Sequence, residues 1–215
     1  VSHELKTPLT SILGYAQLIA RGMASGEQTR AFAEKIETES KRLIALIQDI
    51  MALSHLEEEL PSASSPVSVR AVAQQALSRL EEQAKEKQVT LTLEGADFTV
   101  NGNSSRLEEL VYNLCENGVK YNRVGGQVTV TLQPGQIRVS DTGVGISPED
   151  CRHIFERFYR VDKSRSKAAG GTGLGLSIVK HIAKNQNAEV TVTSTLGKGS
   201  CFIVTFLAQG DEPQK

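Results

Sequence analysis

The sequence predicts two folded units, an α-helical hairpin followed by an α/β sandwich. Three observations carry this reading. Over residues 1–60, apolar side chains recur at helical spacing in two runs, broken by Gly22, Ser25 and Gly26. A connector rich in proline and serine follows, Pro61-Ser62-Ala63-Ser64-Ser65-Pro66. Beyond it, helical patterns alternate with short strand-like stretches, as in a mixed sheet covered by helices. At 215 residues the chain suits one large domain or two smaller ones. The expected division is a hairpin over 1–60, a linker over 61–66, a sandwich over 67–208 and a polar tail over 209–215.

Leu5, Leu9, Ile12, Ala16 and Ile19 form the first seam, and Phe32, Ile36, Leu43, Leu46, Ile50 and Leu53 the second. A lone hairpin buries too little, so two chains are expected to pair into a four-helix bundle. His3 lies about 160° from the mean direction of the first seam at 100° per residue, and so should face solvent. Glu4 is beside it and Thr7 one turn further on. Pro8 lacks the N–H that the carbonyl of Glu4 needs, so the helix should bend there. Neutral imidazole carries a lone pair near pH 7, and a neighbouring carboxylate can keep one ring nitrogen protonated while the other attacks.

In the second unit, residues 69–87 read as an amphipathic helix and Val89–Leu93 and Phe98–Val100 as strands. Ser105-Arg106-Leu107-Glu108 reads as a capping box opening a helix to about residue 120. Strands over 127–133 and 136–141 meet across Pro134-Gly135, a helix covers 174–186, and strands at 190–194 and 201–206 close the sheet. On the helix ending near residue 120, Asn113 and Asn117 are four apart and Lys120 continues their face. Amide oxygens suit Mg²⁺ that already carries water and phosphate oxygens, and a lysine can meet phosphate charge. Asp141-Thr142-Gly143-Val144-Gly145-Ile146 follows a strand, where a carboxylate can accept from the exocyclic amine of adenine. Gly171, Gly173 and Gly175 run into the helix at 174–186, whose free N–H groups and positive dipole end suit phosphate. No Gly-Lys-Ser/Thr closes this run and no strand leads into it, so it is neither a Walker A loop nor a Rossmann fingerprint.

Composition narrows the classes of function. The chain is 39% hydrophobic with no tryptophan, and its net charge is −1, from 24 basic against 25 acidic residues. That balance gives no electrostatic case for nucleic acid. No apolar run reaches membrane-spanning length, and there is no signal peptide. Cys115, Cys151 and Cys201 are scattered, which argues against a disulfide framework or zinc site and fits a reducing cytoplasm.

Ser2-His3-Glu4-Leu5-Lys6-Thr7-Pro8-Leu9-Thr10 resembles the H box of the sensor histidine kinases of two-component systems. Asn113-Leu-Cys-Glu-Asn117-Gly-Val-Lys120-Tyr121 resembles their N box. Asp141–Ile146 resembles the G1 box, Ile154–Arg160 the F box, and Gly170–Lys180 the G2 box. The boxes occur in family order across nearly the whole chain. The resemblance implies that the sandwich is of the type shared by gyrase, heat-shock chaperones, mismatch-repair proteins and histidine kinases. It implies ATP and Mg²⁺, a homodimer, and a response-regulator receiver domain as partner. It also implies roles: His3 as phosphoacceptor, Glu4 as base, Thr7 as the residue that positions water for dephosphorylating the regulator, Asn117 as metal ligand and Asn113 as its helper. Lys120 and Tyr121 would flank the nucleotide, and Arg160 would reach the γ-phosphate. Gly143, Gly145, Ile146, Gly171, Thr172, Gly173, Leu174, Gly175 and Leu176 would line the nucleotide, and residues 161–172 would form an ATP lid. Asn187 stands where the family usually has glycine. The family's helix begins a turn or more before the histidine. The chain is therefore expected to be the cytoplasmic portion of a longer, membrane-anchored bacterial receptor, with no membrane segment of its own.

Two rival readings are weighed against this one. A gyrase-like or chaperone-like ATPase would lack the H box. A regulator-docking scaffold acting mainly as a phosphatase would depend on Thr7 rather than on transfer to His3.

Overall fold

The computed structural model describes residues 2–58, 65–161 and 171–207, with side chains described over 3–54 in the first segment. The expected linker at 61–64, the lid residues 162–170 and the tail at 209–215 lie outside the described residues.

Helices α1 (Ser2–Ala20) and α2 (Glu27–Glu58) form the hairpin. Their turn uses the left-handed backbone that glycine adopts freely, with φ of 67° at Gly22 and 54° at Gly26. Within α1, the Thr7 hydroxyl donates to the His3 carbonyl at 3.1 Å. Tyr15 and Phe32 stack across the hairpin with centroids 5.3 Å apart.

The sandwich begins earlier than expected. Ser65 and Pro66, read from sequence as linker, start strand β1 (Ser65–Ser68), which pairs antiparallel with β3 (Thr99–Gly102). Next come α3 (Val69–Glu86), β2 (Thr90–Gly95), α4 (Ser104–Lys120), β4 (Gln127–Gln133) and β5 (Gln136–Asp141). A 3₁₀ turn at Asp150–Arg152 precedes α5 (Gly175–Asn185), and β6 (Ala188–Thr195) and β7 (Gly199–Phe206) close the chain. The main sheet has five strands in the order β2-β4-β5-β7-β6, with only β2–β4 parallel.

Its register aligns the core. Leu93, Val130, Val139, Phe202 and Val192 make one cross-strand row, and Leu132, Ile137, Val204 and Val190 another. Their face packs under α3, α4 and α5 through Leu80, Leu107, Leu110, Leu114, Ile178 and Ile182, all essentially without solvent exposure.

The expected capping box at Ser105 is not the cap used. Helix α4 starts one residue earlier, and Asn103 Oδ1 accepts from the Arg106 amide at 3.1 Å. Asn187, in place of glycine, takes φ of 51° in the turn before β6. This is a left-handed conformation that asparagine tolerates better than most residues.

Candidate functional site

Asp141 ends β5 on the helix-facing side of the sheet, opposite Val128. It can sit there because Gly118 of α4 has no side chain. A Cβ at Gly118 would lie 2.9 Å from Val128 Cγ2 and 3.4 Å from Asp141 Cβ. Burial pushes the Asp141 carboxyl above the ordinary range. Hydrogen bonds from the Gly143 amide, at 2.7 Å, and from Ser200 oppose the shift.

The Asp141–Ile146 loop is held from three sides. The Val144 amide donates to the Tyr121 carbonyl at 3.2 Å, the Gly197 amide to the Val144 carbonyl at 2.7 Å, and the Ile146 amide to Ser194 Oγ at 2.8 Å. Gly145 has φ of 68°, and a Cβ there would strike the Thr195 carbonyl, so only glycine fits.

The glycine run at 171–175 faces the end of α4. A Cβ at Gly171 would lie 3.0 Å from the Tyr121 hydroxyl and 3.3 Å from Lys120 Nζ, and one at Gly175 would lie 3.0 Å from Asn113 Oδ1 and 4.0 Å from Asn117 Nδ2. The Asn113 amide nitrogen is engaged by the Glu109 carbonyl at 2.8 Å, so its oxygen is the atom turned to the loop. Leu174, fully buried, anchors the start of α5, and among the described residues no side chain caps that helix start. Its first amides are therefore available to an anion. Burial, aided by the Lys87 and Arg160 charges, lowers the Lys120 pKa, while Glu116 and Asp49 hold it up. Asn113, Asn117, Lys120, Tyr121, Asp141 and the two glycine loops thus gather at the C-terminal end of α4.

Phe158 has φ of 64°, and its amide donates to the Gly173 carbonyl at 2.9 Å, tying the Ile154–Arg160 stretch to the glycine run. Phe155 packs edge-on against Phe202 at 6.4 Å. Burial and the nearby Arg42 guanidinium lower the Arg160 pKa, while Tyr121 and Glu4 hold it up. Since Arg42 and Glu4 belong to the hairpin, Arg160 lies at the junction of the two units.

The His3 side chain is 90% exposed, and Nδ1 stands 3.8 Å from Glu4 Oε1, an ion-pair distance that leaves Nε2 facing solvent. The solvent orientation expected from the helical wheel is thus the one observed. Sequence reasoning read Ser200 only as part of a structural turn, Gly197–Ser200, and did not single out Asp49. Asp49 Oδ2 accepts from the Thr172 hydroxyl at 2.5 Å, linking α2 to the glycine run. An acid set between Leu46 and Leu53 of an apolar seam was the available clue.

Two family models match the chain: the His Kinase A (phospho-acceptor) domain over residues 1–59, and the histidine kinase-, DNA gyrase B- and HSP90-like ATPase over residues 102–210. The sensor-like histidine kinase SenX3 of Mycolicibacterium smegmatis is 37% identical over 213 residues, covering 96% of this chain and 55% of that protein. The chain spans about half the length of the curated relatives it matches. Among solved structures, full-length ShkA in complex with AMPPNP is 28% identical with a TM-score of 0.64, covering 94% of this chain and 43% of that one. The Acinetobacter baumannii histidine kinase AdeS has a TM-score of 0.73 at 22% identity, covering 95% of this chain and 97% of that one, and shows the shared fold. A phospho-acceptor hairpin joined to an ATPase sandwich, each matched by its own family model, means that the chain belongs to the sensor histidine kinases of two-component systems.

Proposed function

We propose that the chain is an ATP-dependent protein-histidine kinase that phosphorylates His3 and passes the phosphoryl group to an aspartate of a response regulator. The observation that carries this is the pairing of an outward-facing His3, with Glu4 at Nδ1, and a cluster of Lys120, Tyr121, Asp141 and two glycine loops at the end of α4. Residues 1–60 serve as the dimerisation and phosphotransfer unit and 67–208 as the ATP-binding unit.

Adenine lies on Gly143, Gly145 and Ile146 with its exocyclic amine on Asp141. The phosphates lie along Gly171, Thr172, Gly173, Leu174, Gly175 and Leu176, at the uncapped start of α5. Asn117, aided by Asn113, would hold Mg²⁺ through a neutral amide oxygen, and the ion would supply charge neutralisation. His3 Nε2 attacks the γ-phosphorus in line. The bond from that phosphorus to the β,γ-bridging oxygen breaks, ADP leaves with the electron pair, and Glu4 takes the Nδ1 proton of the resulting imidazolium. Arg160 offsets charge on the transferring group, so catalysis is largely positioning and electrostatics. The regulator binds the hairpin of a homodimer, and Thr7 orients water for the opposing phosphatase activity, in which that water attacks the regulator's aspartyl phosphate and releases inorganic phosphate and free aspartate. The match to relatives named as sensors supports a working place in the cytoplasm, as one portion of a longer membrane-anchored receptor. Among the described residues, no helix is long and apolar enough to cross a membrane.

The test is incubation with γ-labelled ATP and Mg²⁺. Acid-labile label is expected on the intact chain and none on His3→Gln, with ATP binding nearly unchanged. Label persisting on His3→Gln would remove the assignment.

A further inference from the structure

Helix α2 carries a face that is neither solvent-facing nor part of the hairpin seam alone. Arg42, Leu46, Asp49 and Leu53 follow one another at steps of four, three and four, which places them on one stripe. Leu46 and Leu53 are 4% and 7% exposed and belong to the buried cluster that includes the core of the sandwich, with Ile50 packed against it. The apolar part of the stripe therefore docks the hairpin onto the sandwich beside α5.

The polar part of the stripe reaches the glycine run. Thr172 Oγ1 donates to Asp49 Oδ2 at 2.5 Å and accepts from the Leu174 amide at 3.3 Å. Thr172 follows Gly171, which abuts Lys120 Nζ, and precedes a helix whose start no described side chain caps. The Asp49 carboxylate is thus an anion on the loop where an anion is best received.

We propose that Asp49 is a built-in phosphate mimic: its carboxylate competes with the terminal phosphates of ATP for the Thr172 end of the glycine run, so that α2 docking and nucleotide binding oppose each other. This rests on the reading of that run as the phosphate site. A nucleotide that displaces Asp49 also removes the polar half of the α2 contact, and so helps free the sandwich from the helix it must leave to serve His3. Burial pushes the Asp49 carboxyl upward, Glu116 and Glu109 push the same way, and the Thr172 hydroxyl and Lys120 hold it down.

The experiment titrates a non-hydrolysable ATP analogue with Mg²⁺, and separately AMP, against the unaltered chain, Asp49→Asn and Asp49→Ala. A latch that occupies nine-tenths of molecules weakens apparent affinity about tenfold, so both variants are expected to bind the analogue roughly tenfold more tightly. AMP, which lacks the terminal phosphates, is expected to bind all three alike. Equal affinity of all three chains for the analogue overturns the mimic while leaving the phosphate-site reading in place. Equal tightening for AMP also overturns it, because the gain would then come from general opening rather than phosphate competition. If no chain binds the analogue, the phosphate-site reading falls and the mimic with it. Asp49→Asn, nearly isosteric, keeps the comparison available should the alanine variant fold poorly.

Discussion

The Gly143 amide donates to Asp141 Oδ1 at 2.7 Å, and this bond turns a buried acid into a directional acceptor at the end of the sheet. Loss of water favours the neutral acid, whereas donors from Gly143 and Ser200 favour the ion. The carboxylate that results can accept from an amine but repels a carbonyl. This would be the physical basis of the proposed preference for adenine over guanine.

Asp141→Asn keeps the shape and turns an acceptor into a potential donor. ATP affinity is expected to fall by about tenfold to a hundredfold, the range of a lost hydrogen bond to a charged group. Discrimination against GTP should shrink, which parallel ATP and GTP titrations would reveal. Acidity separates binding from stability here. The folded protein holds the Asp141 proton more tightly than the unfolded chain, whose value is near 3.8, so this group's contribution to stability increases as pH falls through the folded value toward 3.8. ATP affinity should decline in that same window, because protonation removes the acceptor. Affinity holding steady there would count against Asp141 as the adenine partner.

Gly118→Ala tests the space in which Asp141 sits. Alanine gains about 1 kcal/mol of helix propensity over glycine. Its Cβ, however, would stand 2.9 Å from Val128 Cγ2, on a β-branched side chain with little rotamer freedom. Overpacking of this kind costs about 1–3 kcal/mol, so a net loss of up to roughly 2 kcal/mol is expected in urea unfolding. Weaker ATP binding should accompany it. A gain in stability would show that α4 and the sheet are not held as closely as these distances require.

What could be read from sequence, and what could not, follows from the range of the interactions involved. The hairpin, α4 and the strands at 127–133 and 136–141 were legible because periodicity and turn chemistry are local. So was the outward direction of His3. Strand β1 was not, because Ser65-Pro66-Val67-Ser68 has no alternation of its own and forms only by pairing with residues 99–102. The α4 cap was misplaced by two residues, since Asn103 and Ser105 are both good caps and only the geometry shows which reaches a free amide. The docking of Leu46 and Leu53 was hidden for another reason: seam residues look alike whether their partner is a second helix or a sheet domain far along the chain.

The same hairpin leaves apolar residues uncovered. Leu9 and Leu13 on α1 and Ile44, Ile47 and Met51 on α2 are roughly half exposed, ranging from 44% to 57%. A face of this kind supports the proposed second copy. Ile44→Glu with Ile47→Glu is expected to convert a dimer to a monomer by light scattering, because two charges would have to be buried at the interface. A monomeric mass for the unaltered chain would exclude this pairing.

Thr7→Ala separates the proposed kinase activity, which uses His3, from the proposed phosphatase activity, which uses Thr7. The Thr7 hydroxyl spends its proton on the His3 carbonyl, one turn back, and keeps its lone pairs for an incoming water. Alanine removes that acceptor without weakening α1, because it is the better helix former by several tenths of a kcal/mol. Labelling of His3 from ATP should therefore stay within about twofold of the unaltered chain. Release of phosphate from a phosphorylated regulator should fall at least tenfold, corresponding to about 1.4 kcal/mol in the barrier. The two rates are best measured on the same preparation. If both fall together, Thr7 acts by holding the helix around His3. If neither moves, water is positioned by another group and the phosphatase role passes from Thr7.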